Sequence, residues 1–329
     1  MTNRLSEDEI IARIFAPLAG LGSLDLRDDA ALLSPPPGHQ LVATTDALVA
    51  GVHFFPNDPP DLIAQKALRV NVSDLAAKAA DPWGYLLSIA LPDTSCAEWL
   101  KAFAQGLKSD GQTYGLSLLG GDTVRTSGPL MINVTALGLV PQGAMIQRTT
   151  AKAGDRIYVS GTIGDAALGL VLRQQQIKRA DELKSEWQHY LLDRYLLPLP
   201  RNGLIIALRT HAHAAMDVSD GLIGDLTKLT KVSHVSARVE LSRIPLSPAA
   251  RDVIALQEDA FDRAVTGGDD YEILCTVPPV ASADFERAAA KAHILVTYIG
   301  DVIPGDQPPL WLDKTGQTKT FGKASFSHF

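Results

Sequence analysis

Cysteine is scarce in this chain: only Cys96 and Cys275 occur among 329 residues, far apart in sequence. Two such residues cannot staple a disulfide framework, and the scarcity fits a reducing cytosol. Long hydrophobic runs are missing too. YLLSIALP (85–92) and ALGLVP (136–141) fall far short of the roughly 20 apolar residues that a membrane-spanning helix needs. The opening MTNRLSEDEI lacks the n-region and h-region of a signal peptide, so none is expected. A basic excess is absent: 30 Lys and Arg stand against 37 Asp and Glu, a net charge of −7. That balance argues against a general nucleic-acid or anionic-membrane surface. Several motifs are also wanting. There is no Walker A loop, no GxGxxG between a strand and a helix, no HExxH or CxxC, and no GxSxG. P-loop, Rossmann, zinc and serine-hydrolase chemistry lose their usual signatures accordingly.

What is present suits a globular protein of two domains, with 46% hydrophobic and 20% charged residues. Ser6 and Glu9 have capping-box spacing and predict a first helix. After the turn SPPPGHQ, QLVATT (40–45) reads as a strand. From Asp61 to Ala80 a helical pattern places Leu68, Val72, Leu75 and Ala79 on one stripe, with Asn71, Asp74 and Lys78 on a polar neighbour. A strand GYLLSIALP, a helix from Cys96, a strand GLSLLGG turning at Gly120–Gly121 and a strand LMINVTALGLV follow. The polar segment QRTTAKAGD (147–155) marks the boundary, dividing residues 1–148 from 149–329. Beyond it, strands DRIYVSG, AAMDV and YEILCTV alternate with helices after GTIGDAALGL and over 181–196, 221–232 and 282–292. Two α/β or α+β domains are expected.

Aspartates recur in short segments where small or apolar residues lead into the acid: RDDAA, TTDAL, NVSDLAA, GGDT, MDVSDG and GGDD. Most fall at a predicted strand end or the turn after it, where side chains from separate strands can converge. Hard divalent ions such as Mg²⁺ take carboxylate, hydroxyl and phosphate oxygens, and the hydroxyls of Thr44, Thr45, Ser73 and Ser219 stand beside these acids. Any one such Asp is most often a turn former or helix cap. Asp74 is harder to dismiss, because Asp is a poor helix former and this one sits among alanines. All six segments together favour a metal–phosphate site. For His53, in GVHF, a core or surface histidine and a substrate contact both stay open.

With these segments in view, the chain resembles the thiamine-monophosphate kinases, within the aminoimidazole-ribotide synthetase-like superfamily. The matching pieces run in order from residue 28: DDAALL, TTDALVAGVHF, ALRVNVSDLAAKAADP, LLGGDT, GDRIYVSGTIGDAALGL, MDVSDGLIGDL, GGDDYEIL and FSHF. The resemblance implies a two-domain fold of that superfamily, cytoplasmic homodimers and N-terminal domains that pair into a shared β-barrel. It implies transfer of the γ-phosphoryl of ATP to thiamine monophosphate, in thiamine diphosphate biosynthesis, with several Mg²⁺ per site. The first domain would bind metal and ATP and dimerise; the second would complete the ATP and substrate site. On matching positions the metal ligands would be Asp29, Thr44, Thr45, Asp46, Asp74, Asp122, Asp217 and Asp220. ATP would meet Gly121, Asp122, Arg148 and Ser219, and the substrate His53, Asp269 and Phe326. No acid or base is implied, because the acceptor phosphate is already anionic; Asp74, Asp122 and Arg148 would support a direct, metal-assisted transfer.

Three positions depart from that family's pattern: Arg27 replaces the Gly before the acid pair, Asp269 a Glu, and Phe326 a Trp. A selenophosphate synthetase would carry a reactive Cys near its start, whereas the first here is Cys96. Other readings are a sibling ATP-dependent enzyme or a non-catalytic sensor of divalent cations or nucleotides.

Overall fold

A computed structural model of the chain describes residues 5–93 and 96–322. The chain forms two compact units, one of residues 1–75 and 80–144, the other of 76–79 and 145 onward. Arg148 therefore belongs to the second unit. Among the described residues no helix is long and apolar enough to cross a membrane.

In the first unit Ser6 caps α1 (Glu7–Ile10), and the capping box forms: the Glu9 N–H donates to Ser6 Oγ and the Ser6 N–H to Glu9 Oε2 at 3.0 Å. Then come β1 (His39–Val49), α2 (Pro60–Ala77), β2 (Asp81–Pro92), α3 (Ala97–Tyr114), β3 (Ser117–Thr126) and β4 (Met131–Pro141). The strands make one sheet in the order β1-β4-β2-β3, with β2 and β3 parallel and the other pairs antiparallel. Side chains alternate across a strand. In β1, Val42 and Leu48 are buried while Leu41, Ala43, Thr45 and Ala47 are exposed. The buried face continues through Leu87, Ile89, Ile132 and Val134. At Gly138 of β4 an added Cβ would come within 3.0 Å of Leu75 in α2, so the helix lies close on that strand. Leu68, Val72, Leu75 and Ala79 are all fully buried, as the apolar stripe predicts; Asn71, on the neighbouring polar stripe, is fully buried as well.

Two strands run further than expected. β1 continues past Thr45 to Val49, so Asp46 lies within the strand rather than at its end. β3 passes straight through Gly120–Gly121, where a turn was expected. The reason is close approach: Gly121 pairs with Leu87 of β2, and a Cβ there would lie 1.8 Å from the Leu87 carbonyl oxygen. Glycine allows the two backbones to meet, and the ladder continues to Thr126.

The second unit contains β5 (Arg156–Ser160), α4 (Asp165–Arg173), α5 (Ser185–Leu196), α6 (Ile205–His211), β6 (Ala214–Val218), α7 (Leu222–Val232) and β7 (Ser236–Glu240). It goes on through α8 (Pro248–Leu256), α9 (Ala260–Thr266), β8 (Glu272–Val277), α10 (Ser282–Lys291), β9 (Val296–Ile303) and β10 (Leu310–Leu312). Six strands form one sheet, β10-β7-β9-β5-β8-β6, antiparallel except for β10 with β7. Both faces are covered. Ile157, Val159, Met216, Val218 and Leu274 pack in a core with Leu222, Leu226 and Leu229 of α7. Tyr158, Ala215, Ile273 and Cys275 face the other way, with Leu208 of α6, Phe285 of α10 and Ala76, Ala77 and Ala79. Burial on both faces is why AAMDV and EILCTV read as near-continuous apolar runs.

Candidate active site

In the first unit the sequence places candidate ligands on three elements, and the fold joins some of them. The Thr44 hydroxyl donates to Asp74 Oδ2, linking β1 to the last turns of α2 across thirty residues of sequence. Asp46 shares the strand face of Thr44, two residues on. Thr45 points the opposite way, where its hydroxyl bonds Thr135 Oγ1 at 3.0 Å and the Val134 carbonyl at 3.2 Å. Asp122 is exposed on β3 and pairs in register with Ser88; Asp46 pairs with Val134. β1 and β3 are opposite edges of the sheet, three inter-strand spacings or about 14 Å apart. One sheet therefore does not bring Asp46 and Asp122 to a common ion. Asp29 is exposed, and its N–H donates to the Asp28 carboxylate at 2.8 Å, which gives Asp28 a turn-holding role. His53 Nδ1 accepts from the Val49 N–H at 3.0 Å, leaving Nε2 to carry the ring proton.

The second unit holds its candidates in two interlocked loops. Asp217, on β6, is buried, and the chain turns at Ser219–Asp220 before α7. The GGDDY loop docks on that turn: the Asp269 N–H donates to the Ser219 carbonyl at 2.9 Å, and the Tyr271 N–H to the Val218 carbonyl at 2.8 Å. Asp269 and Tyr271 both take left-handed backbone, with φ of 71° and 51°. For non-glycine residues this costs roughly 1–2 kcal/mol each, which the surrounding bonds must outweigh. Between them, Asp270 is fully buried, its carboxylate accepting from the Gly164 N–H at 2.7 Å. Burial pushes the Asp270 carboxyl well above its ordinary value.

Asp220 does not cap the following helix, because Gly221 occupies the N-cap of α7. The Asp220 carboxylate instead bonds the Lys228 ammonium. Buried Asp225 accepts from the Ser219 and Asp220 N–H groups at 3.0 and 2.9 Å, and burial, outweighing Lys228, raises its carboxyl above the usual range. At the start of β8, Glu272 is buried between Arg194 and Arg201 and accepts from Ser160 Oγ at 2.6 Å. Arg148 has an exposed side chain, and its carbonyl accepts from Ser233 Oγ at 2.9 Å. Phe326 lies outside the described residues.

Among the described residues no group of three or more His, Cys, Asp or Glu is assembled to hold a metal. The donor chemistry nevertheless fits Mg²⁺: the donors are oxygens only, Thr44 and Asp74 meet, and Asp220 already carries a cation in the Lys228 ammonium. Mg²⁺ commonly takes one or two carboxylates, with substrate phosphates and water completing its shell.

Comparison with known proteins gives the lineage. Residues 27–140 match the family model for the N-terminal domain of AIR synthase related proteins, and residues 152–312 the model for their C-terminal domain. The thiamine-monophosphate kinase of Caulobacter vibrioides is 46% identical over 306 residues, spanning 92% of this chain and 85% of the relative. The chain belongs to the thiamine-monophosphate kinase family. A crystal structure of thiamine-monophosphate kinase from Stenotrophomonas maltophilia K279a is similar at a TM-score of 0.80 and 39% identity, covering 89% of this chain and 91% of that one. A second structure, AaThiL complexed with AMPPCP and TMP, is similar at 0.78 and 26%, covering 98% and 94%. The resemblance read from the motifs is thus borne out, as is a mixed α/β fold of two domains. For this thiamine-monophosphate kinase family member, sequence reasoning missed Asp225, Lys228 and Glu272. The one available signal was the third acid of MDVSDGLIGDL, five residues after Asp220.

Proposed function

We propose that the chain is an ATP-dependent kinase that phosphorylates thiamine monophosphate to thiamine diphosphate, releasing ADP. The observation that carries this reading is the near-full-length likeness to the Caulobacter thiamine-monophosphate kinase, joined by the likeness to a structure complexed with AMPPCP, an ATP analogue, and TMP. Asp29, Thr44, Thr45, Asp46, Asp74, Asp122, Asp217 and Asp220 are the proposed Mg²⁺ ligands. When bound, Mg²⁺ supplies the positive charge that lets an anionic acceptor approach the triphosphate and steadies the departing ADP.

The protein's own groups orient the reactants. Ser219 and Gly121 contact ATP, Arg148 adds charge on the triphosphate, and Asp122 serves both nucleotide and metal. His53, with Nδ1 occupied by the Val49 amide, presents its other ring edge to the substrate. Asp269 is the substrate contact of the second unit, fixed by its bond to Ser219. Phe326 supplies a stacking face for the thiamine ring. Transfer is direct, since the acceptor oxygen needs no general base. Roles of the two domains follow: residues 1–148 bind metal and ATP and dimerise, and 149–329 complete the site. Cytoplasmic residence accords with two free cysteines.

The partner is a second copy of the chain, with the two four-stranded sheets closing a β-barrel. Support comes from the sheet's exposed face, where Leu41, Leu86, Val124 and Met131 fall on one side by register and are more than a third exposed.

The test is incubation of purified protein with Mg²⁺, ATP and thiamine monophosphate, with chromatography for thiamine diphosphate and ADP. Stoichiometric production of both is expected. Folded protein that gives no thiamine diphosphate above an enzyme-free control sinks the reading in favour of a sibling activity or a sensor.

A further inference from the structure

Neither Ser219 nor Asp220 fixes the turn they share; Asp225 does. This residue lies in the first turns of α7, fully buried. Its Oδ2 accepts from both the Ser219 and Asp220 N–H groups, and its Oδ1 stands 2.8 Å from Lys228 Nζ. The same ammonium bonds the Asp220 carboxylate. One lysine therefore bridges two acids of different kinds. Asp225 is buried, whereas Asp220 and Lys228 are about 40% exposed on their side chains.

A merely structural role does not require this arrangement. A neutral Asn at 225 could accept the same two main-chain N–H groups without the cost of burying a charge. The carboxylate does something that an amide cannot: it offers Lys228 an anionic partner that no incoming cation can reach. An ammonium bound to Asp220 alone would resist displacement, and once displaced it would be left without a counter-charge. With Asp225 beside it, Lys228 can leave Asp220 and keep an ion pair.

We propose that Lys228 is a place-holding cation on Asp220, and that Asp225 positions Asp220 for divalent metal by anchoring its backbone and by retaining Lys228 when the metal arrives. This rests on the reading of Asp220 as a Mg²⁺ ligand. The two partners then act with opposite sign. Asp225→Asn strands Lys228 on Asp220, so metal must compete harder. Lys228→Met removes the competitor.

The test is calorimetric titration of Mg²⁺ into full-length protein saturated with AMPPCP, with a thermal melt of each variant in metal-free buffer. For Asp225→Asn the Mg²⁺ midpoint is expected to rise about 10-fold, as is usual when a group supporting a metal ligand is lost. For Lys228→Met it is expected to fall. Unchanged midpoints in both variants, with lowered melting temperatures, would mean that the pair only stabilises the fold and would overturn the proposal. So would midpoints that move in the same direction. If Asp225→Asn does not fold, Lys228→Met decides alone: an unchanged or raised midpoint overturns. A wild-type protein that binds Mg²⁺ and AMPPCP yet makes no thiamine diphosphate defeats the functional reading and leaves the place-holder test standing.

Discussion

Around their candidate contacts the two units handle carboxylates differently, although the first also keeps a buried acid, Asp110, paired with Arg69. In the first, Asp29 and Asp122 are exposed, and Asp74 accepts from the Thr44 hydroxyl of a neighbouring strand. In the second, Asp225, Asp270 and Glu272 are fully buried, each gripping main-chain amides or arginines. Acids of the first kind suit ligands, available to a cation and carrying little of the fold. Acids of the second kind are scaffold, and the candidate contacts Ser219, Asp220 and Asp269 hang from them. Loss of an exposed acid should cost chemistry and spare stability; loss of a buried acid that grips only scaffold, such as Glu272, should do the reverse.

The largest effect is expected at Asp74. Asp74→Asn should lower turnover by about 100- to 1,000-fold, the usual cost of removing one electrostatic contact made to developing charge. Its melting temperature should stay near wild type, because the amide can still accept from Thr44. Steady-state kinetics beside a thermal melt check both halves. Turnover within a few-fold of wild type would take Asp74 out of the site and blur the contrast between the units.

Glu272→Gln tests the opposite side. The change leaves Arg194 and Arg201 without their shared carboxylate, and breaking a buried pair in this way costs about 3–5 kcal/mol. Urea denaturation should record that loss, while kcat per folded molecule falls far less than in Asp74→Asn. A stable variant with collapsed turnover would make Glu272 chemical instead of structural.

A smaller effect separates adjacent glycines in β3. Gly121→Ala would push a Cβ to 1.8 Å from the Leu87 carbonyl, forcing backbone apart at a cost of about 1–3 kcal/mol. Gly120→Ala meets only Leu86 Cδ2 at 3.3 Å, a movable methyl, and should be nearly neutral. Equal losses by urea denaturation in the two variants would mean that close approach to β2 is not what selects glycine at 121.

The same contrast explains what could be read before any coordinates. Long amphipathic helices such as α2 and α3, and the apolar strands β6 and β8, announce themselves by period and composition. Asp74 was legible because an acid amid alanines has no local purpose. The five-residue β7, which is not continuously apolar, carries too few residues for a clear period. The scaffold acids were invisible for a different reason. An aspartate that grips a backbone amide and one that awaits a cation are the same letter, and the contacts that distinguish them span 78 and 71 residues for Glu272 with Arg194 and Arg201. The Gly120–Gly121 turn failed because glycine marks both turns and close backbone approach.

The smallest and subtlest prediction concerns pH. Asp270 is fully buried, and burial holds its carboxyl well above the ordinary value of 3.8; the charge of Asp165 pushes it up further, while the Gly164 amide and Arg194 pull it down. In the unfolded chain the same group ionises near that ordinary value. Over the window from 3.8 up to the raised native value, the folded state holds a proton that the unfolded state has released. Stability from this group is thus fully present below the window and is lost as pH rises through it. Asp270→Asn stays neutral throughout and keeps an oxygen for the Gly164 N–H, so it should lack that decline. Urea midpoints taken from about pH 4 to about pH 8 should converge or cross, wild type losing ground to the variant as pH rises. A constant gap across the series would show that Asp270 is ionised in the fold, and it would place this acid among charged scaffold groups such as Glu272.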